Sequence, residues 1–176
     1  VSMMGRLIIK QGDITLERVD TIVNAANTTL MGGGGVDGAI HRAAGPALDV
    51  ACARLHGCPT GEARLTPGFA LPARYIIHTP GPVWQGGQHN EAQLLANSYR
   101  NSLRLAVAHG CQTVAFPSIS TGVYAYPVAK AAQVAIATIK TALAQWPQLR
   151  EVRLMCFDEQ TYHAYQRAAQ VALGNN

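Results

Sequence analysis

Long apolar runs are missing from this chain, since each one ends at Gly, Pro or a charged residue short of the ~18 residues a bilayer requires, which excludes a membrane-spanning helix. The opening Val1-Ser2-Met3-Met4-Gly5 lacks the basic, apolar and small-residue regions of a signal peptide. It reads as an appended remnant before a natural start at Met3 or Met4, so residues 1–5 are expected as a disordered start, 6–174 as a single domain, and the address as cytoplasmic. Among the four cysteines, Cys52, Cys58, Cys111 and Cys156, there is no C-x-x-C pair, and thiols are expected rather than disulfides. Cys52, His56 and Cys58 lie close in sequence, but a structural zinc site needs four ligands and no second cluster completes this one. No metal and no other cofactor is expected. Charge is scarce too: 14% charged residues beside 48% apolar ones argue against an intrinsically disordered chain. The net charge of +4 suits anionic small molecules or weak contact with nucleic acid, and demonstrates neither.

What remains is 176 residues with 17 glycines, enough chain for one core and enough glycine for backbone to approach a ligand closely. β-branched runs at Arg6–Gln11 and Asp20–Asn24 predict strands. Good helix formers predict a helix over Val36–Ala44, ended by Gly45-Pro46, and a second over Ala47–Leu55. Glu62–Thr66 and Arg74–His78 read as a hairpin across turn residues. Apolar spacing predicts a helix from Glu91 to about His109 with Gly110 at its end, a buried strand at Thr113–Pro117, and a long helix from Pro127 to about Trp146. A strand over Glu151–Phe157 and a helix over Glu159–Leu173 close the chain, so its second half alternates as a layered α/β domain does.

In open α/β sheets ligands bind beyond the carboxyl ends of the strands. The unusual residues here fall at those ends: Gly12-Asp13, Asn24 to Gly35, Ser118 to Tyr126, and Phe157-Asp158. In the second of these, two amides, Asn24 and Asn27, precede four glycines and Asp37 opens a helix. Four consecutive glycines lose much entropy on folding where a surface turn would need one, which points to binding. Gly33-x-Gly35-x-x-Gly38 formally matches a dinucleotide fingerprint, yet eight residues separate it from its strand and Asp37 would repel a pyrophosphate. A carboxylate near the sugar end, accepting a water proton, suits Asp37 better; a plain helix N-terminal acid is the alternative. The Ser118–Tyr126 loop offers consecutive N–H groups and hydroxyls before a helix, which suits phosphate oxygens, or else simply caps that helix. It has no G-K-[ST], which argues against triphosphate hydrolysis.

Gly12-Asp13-Ile14-Thr15, Val23-Asn-Ala-Ala-Asn27, Gly32-Gly-Gly-Gly-Val-Asp37-Gly-Ala-Ile-His41 and Ser120-Thr-Gly-Val-Tyr124, four ordered blocks spread over nearly the whole chain, resemble the macrodomain signature, specifically its MacroD-type bacterial branch. The resemblance implies a three-layer α/β/α fold with a central mixed, mostly parallel sheet. It also implies the activity of the O-acetyl-ADP-ribose deacetylases, which remove ADP-ribose from acidic side chains as well. On the matching positions, Asp13 would accept from the adenine amino group beside the Ile14 backbone, and Phe157 would stack on adenine. Ser120, Thr121, Gly122, Val123 and Tyr124, facing the backbone of Gly33, Gly34, Gly35 and Val36, would clasp the diphosphate. Asn27 and Tyr124 would hold the distal ribose, Asn24 would brace the site, and Asp37 would orient or deprotonate the attacking water, with the diphosphate helping to position it. Ala125 departs from the family, whose members often carry Gly there, and its methyl is expected to restrict the loop.

The catalytic set implied is therefore Asp37, Asn27 and Tyr124, metal-independent, with ADP-ribose or O-acetyl-ADP-ribose and ADP-ribosylated proteins as partners. Two other functions fit part of the pattern: a non-catalytic ADP-ribose reader, against which Asp37 argues, and a partner of RNA or of RNA processing, suggested by the pI of 9.0 alone. His41, one turn after Asp37, reads as a packing or hydrogen-bonding histidine rather than a catalytic one.

Overall fold

The structure, a computed structural model, describes residues 4–172 and 174. Six strands form one sheet: β1 (Arg6–Gln11), β2 (Thr21–Ala26), β3 (Arg64–Pro67), β4 (Tyr75–Pro80), β5 (Thr113–Pro117) and β6 (Glu151–Cys156). Five helices connect them: α1 (Gly35–Ala44), α2 (Pro46–Ala53), α3 (Glu91–Ala108), α4 (Val128–Gln145) and α5 (Glu159–Ala172). The sheet order is β1-β6-β5-β2-β4-β3. Every neighbouring pair is parallel except β3 with β4, the expected hairpin, so the sheet is mixed and mostly parallel. Gly5, expected within the disordered start, instead lies tightly against the Leu149 and Arg150 backbone, leaving no room for a Cβ, and residues 1–3 lie outside the described residues. The expected end of α5 at Leu173 also lies outside them.

The strands are apolar on both sides because both faces are covered. Ile22, Ile76, Ala115 and Met155 pack with Ile40, Ala44 and Leu48 of α1 and α2. Their chain neighbours Val23, Ile77, Val114, Phe116 and Leu154, with Val152 two residues before Leu154, point the other way, into Leu95, Leu103, Ile136, Ile139 and Tyr165 of α3, α4 and α5. This two-residue alternation makes three layers, and each buried Leu or Ile contributes about 1.5–3 kcal/mol to holding them together. Among the described residues no helix is long and apolar enough to cross a membrane.

Strand β2 pairs with β5 only at Thr21 and Ile22. Its pairing with β4 runs on to Ala26, and β5 stays with β6 as far as Pro117. The two central strands therefore part toward their carboxyl ends. The chain leaves β2 for α1 and α2 on one face and leaves β5 for α4 on the other, so a crevice opens where the crossovers diverge, the place where sheets of this kind bind ligands.

Candidate active site

At the β1–β6 side of the crevice, Gln11 pairs with Cys156 and Gly12 N donates to Cys156 O (3.1 Å), which sets Asp13 beside Phe157. Asp13 caps a 3-10 turn at Ile14–Leu16: its Oδ1 accepts from Thr15 N (2.9 Å) and Thr15 Oγ1 (2.7 Å). Ile14 is buried beneath that turn, whereas Phe157 is 90% exposed, an apolar ring at a strand end with nothing over it. A flat ligand surface has a place to stack there.

On the other side, Asn24 and Asp37 come together. Asn24 lies on the same face of β2 as Ile22 and is fully buried under α1, and its Nδ2 donates to Asp37 Oδ1 (2.8 Å). Asp37 sits in the first turn of α1, 6% exposed. Burial raises its pKa above the usual carboxylate value, while the Asn24 N–H and the neighbouring His41 pull it back in part. His41 lies between two acids, with Nε2 3.4 Å from Asp37 Oδ1 and Nδ1 2.7 Å from Asp49 Oδ1 on α2. The histidine set aside on sequence grounds thus touches the candidate acid directly, through an i,i+4 spacing on one helix face.

The glycine run wraps this acid. A Cβ on Gly33 would come 3.3 Å from Asp37 Oδ2 and 3.6 Å from Asn27 Nδ2, so Gly33 backbone lies against both side chains. A Cβ on Gly38 would strike the Gly33 carbonyl oxygen, and its absence lets the loop lie back on α1. Gly34 and Gly35 face open space and Val36 is half-buried. Asn27 shapes the loop itself: Nδ2 donates to Gly32 O (2.8 Å), and Oδ1 accepts from Thr29 Oγ1 (2.6 Å) and Leu30 N (3.0 Å).

The Ser118–Tyr126 loop is closed on itself by Tyr126 N to Ser120 O (3.0 Å), Ala125 N to Gly122 O (2.9 Å) and Thr121 Oγ1 to Ser118 O (2.8 Å). Its left-handed residues are Ser120 (φ 68°) and Ala125 (φ 61°), not Gly122. The Ala125 methyl therefore costs about 1–2 kcal/mol in that conformation, the local strain behind the departure noted above. Gly122 faces open space and Val123 is 98% exposed. Tyr124, half-buried, accepts through its carbonyl from Trp84 N (2.8 Å).

Three supports of this loop escape sequence reasoning. Gly81 lies so close to Ser120 and Ile119 that any Cβ would collide with both. Tyr99, buried on α3, donates to Pro117 O (3.3 Å) and accepts from Ile119 N (3.2 Å). Glu91 gathers the amides of Gln85 (2.8 Å), Gly87 (3.0 Å) and His89 (2.6 Å), ordering the segment that carries Trp84. Only the Gly81-Pro82 pair after a strand carries a signal that a sequence reader could use.

A mostly parallel sheet covered by helices on both faces, with a crevice at its crossover point and two loops beside a buried acid, describes an α/β domain of the kind that binds ligands at the carboxyl ends of its strands. The sequence pattern of the Macro domain matches residues 23–135, and the chain belongs to that family. It is 63% identical to a Macro domain-containing protein of Lactiplantibacillus plantarum over 94% of this chain and 96% of that protein. It is 56% identical to an O-acetyl-ADP-ribose deacetylase of Cronobacter sakazakii, over 94% of each. The Oceanobacillus iheyensis macrodomain solved with ADP superposes with a TM-score of 0.91 at 44% identity, covering 100% of this chain and 96% of that one. The three-layer macrodomain expectation holds.

Proposed function

We propose that this chain is an ADP-ribose-binding hydrolase that deacetylates O-acetyl-ADP-ribose and releases mono-ADP-ribose esterified to acidic side chains of proteins. One observation carries the reading: a single acid, Asp37, is buried against the glycine loop and held by a fully buried amide, Asn24, at 2.8 Å. A module that only binds has no use for a carboxylate whose ionised form is opposed by burial and then fixed in direction. Its similarity to the Cronobacter deacetylase and to the ADP-bound Oceanobacillus macrodomain supports both halves of the reading, the chemistry and the ligand.

In this reading Phe157 stacks on adenine while Asp13 and the Ile14 backbone meet its edge. The amides of Ser120 to Val123 and of Gly33 to Val36 neutralise the diphosphate, and Asn27 and Tyr124 hold the distal ribose. Asp37 takes a proton from water as the water oxygen bonds to the acetyl carbonyl carbon. The ester C–O bond then breaks, the ribose oxygen recovers a proton, and acetate and ADP-ribose leave. Raised proton affinity makes Asp37 a stronger base than an exposed aspartate. The four cysteines are free and buried, which suits a cytoplasmic address.

Calorimetric titration with ADP-ribose, run beside acetate release from O-acetyl-ADP-ribose, tests this. Asp37→Ala is expected to keep ADP-ribose affinity and to lose roughly 10²–10⁴-fold in turnover. Gly122→Glu, at a position with open space around it, is expected to fold and to lose binding, since it sets bulk and negative charge where phosphate oxygens sit. Undiminished turnover by the first variant removes Asp37 from the chemistry, and tight binding by the second removes the loop from the ligand.

A further inference from the structure

Asn24 presents a problem in hydrogen bonding. Both N–H groups of its amide are used, one on Asp37 Oδ1 (2.8 Å) and one on His78 Nδ1 (3.1 Å), yet its own Oδ1 is buried without a partner. A buried carbonyl left unpaired is costly, so something holds the amide in this orientation against that cost. Turning it over would set Oδ1 against the Asp37 carboxylate and against the ring nitrogen.

The carboxylate supplies one reason, and a second lies on the far side of His78. This histidine of β4 is fully buried, and burial, with the nearby His41, drives its pKa down to about 3, so the ring is neutral and carries one proton. Its Nε2 is 3.0 Å from Thr66 Oγ1 on β3 and 3.9 Å from Cys52 Sγ on α2. Thr66 Oγ1 also lies 3.1 Å from the carbonyl oxygen of Pro67, a group that can only accept; with the hydroxyl proton on that carbonyl, the Thr66 oxygen accepts from the His78 ring. The ring proton therefore resides on Nε2 and Nδ1 is bare. A bare Nδ1 requires an N–H from Asn24, and the second N–H of the same amide then points at Asp37.

We propose that Thr66 and His78 are positioning residues for Asp37, forming a one-way chain in which the Thr66 hydroxyl fixes the His78 tautomer, the tautomer fixes the Asn24 amide, and the amide aims the carboxylate. The proposal rests on the reading of Asp37 as the group that handles the water. All four residues lie on the α1/α2 face of the sheet, and Thr66 itself hydrogen-bonds to Pro67 and His78 rather than to Asp37 or the glycine loop. Among the described residues, the other titratable groups near Asp37 are His41 on its own helix and Cys52 on α2, with Asp49 beyond His41 and Arg42 against Gly38.

The near-isosteric Thr66→Val removes the acceptor and leaves the Nε2 proton only a weak sulfur partner. Expected are a fall in kcat of about tenfold, the loss of one hydrogen bond to a charged group, with KM and the ADP-ribose Kd within about twofold of wild type. The acid limb of the kcat–pH profile should move to higher pH, because the carboxylate loses a donor that favours its ionised form. Thr66→Ser should restore both. Independently of activity, nitrogen-15 NMR of the wild-type imidazole should find His78 Nδ1 bare and Nε2 protonated, and in Thr66→Val this preference should weaken. A wild-type ring protonated on Nδ1 overturns the proposal even if the valine variant fails to fold, as does a folded Thr66→Val with wild-type kcat and pH profile. Full turnover by Asp37→Ala would instead remove the reading beneath it, while the tautomer measurement still reports on the chain.

Discussion

Asp37 is held where its charge is least welcome. Its folded-state pKa stands above the ordinary carboxylate value of 3.8, with burial as the first cause. An acid raised in the folded state binds its proton more tightly there than in the unfolded chain, so its favourable contribution is present at pH below 3.8 and is lost as pH rises through the folded-state value. At neutral pH the ionised group costs stability, a cost that the role proposed for it at the attacking water accounts for. Asp37→Asn keeps the shape and an oxygen for Asn24 to donate to, but carries no charge. Thermal unfolding of this variant should therefore show a higher Tm than wild type at pH 7–8, and the gap should close as pH falls below 3.8. An equal gap at every pH would mean that packing, not ionisation, sets the cost.

At the scale of elements, the segment between β4 and α3 shows how a distant acid shapes the Ser118–Tyr126 loop. Burial alone would push the Glu91 carboxyl up, but the amides of Gln85, Gly87 and His89 and its own N–H overcome that and hold it down at about 2. A carboxyl lowered in the folded state contributes stability that is complete above its ordinary value of 4.5 and disappears as pH falls toward 2. Glu91→Gln replaces one accepting oxygen by a donor that faces donors. Melting curves between pH 5 and 2 should show wild type losing stability steeply across that window and the variant much less. Because the same segment passes Trp84 N–H to the Tyr124 carbonyl, ADP-ribose affinity should weaken as well. The helices and strands themselves were legible, since periodicity and the Gly45-Pro46 and Gly110 breaks mark their ends. Glu91 was not: an acid in the first turn of a helix reads as an ordinary partner of the helix dipole. Its grip on three loop amides depends on the chain folding back through Asn90 at φ 64°, which no local pattern announces.

For the whole molecule, two of the loops could be read because each carries residues that are expensive as plain structure: four glycines in a row and a hydroxyl-rich turn before α4. What joins them could not, because it depends on which face of which strand a residue takes. Thr66 and His78 are twelve residues apart on two strands, and their meeting follows from the β3–β4 register. The same topology makes one ligand a brace across the sheet. In the proposed pose it spans the ends of β1 and β6, the loop after β5 and the loop after β2, so binding requires the folded arrangement of all of them. A ligand at a hundred times its Kd then stabilises the fold by about 2.7 kcal/mol. For a chain of this size that is a rise in Tm of about 5–10 °C. Asp37→Ala should show the full rise and Gly122→Glu none, separating binding from chemistry in one assay. Since main-chain amides rather than lysines meet the diphosphate in this pose, the rise should also change little as salt is increased from 50 to 500 mM, conditions that largely screen interactions between exposed charges. A shift that collapses with salt would mean that surface cations, not the two loops, hold the ligand.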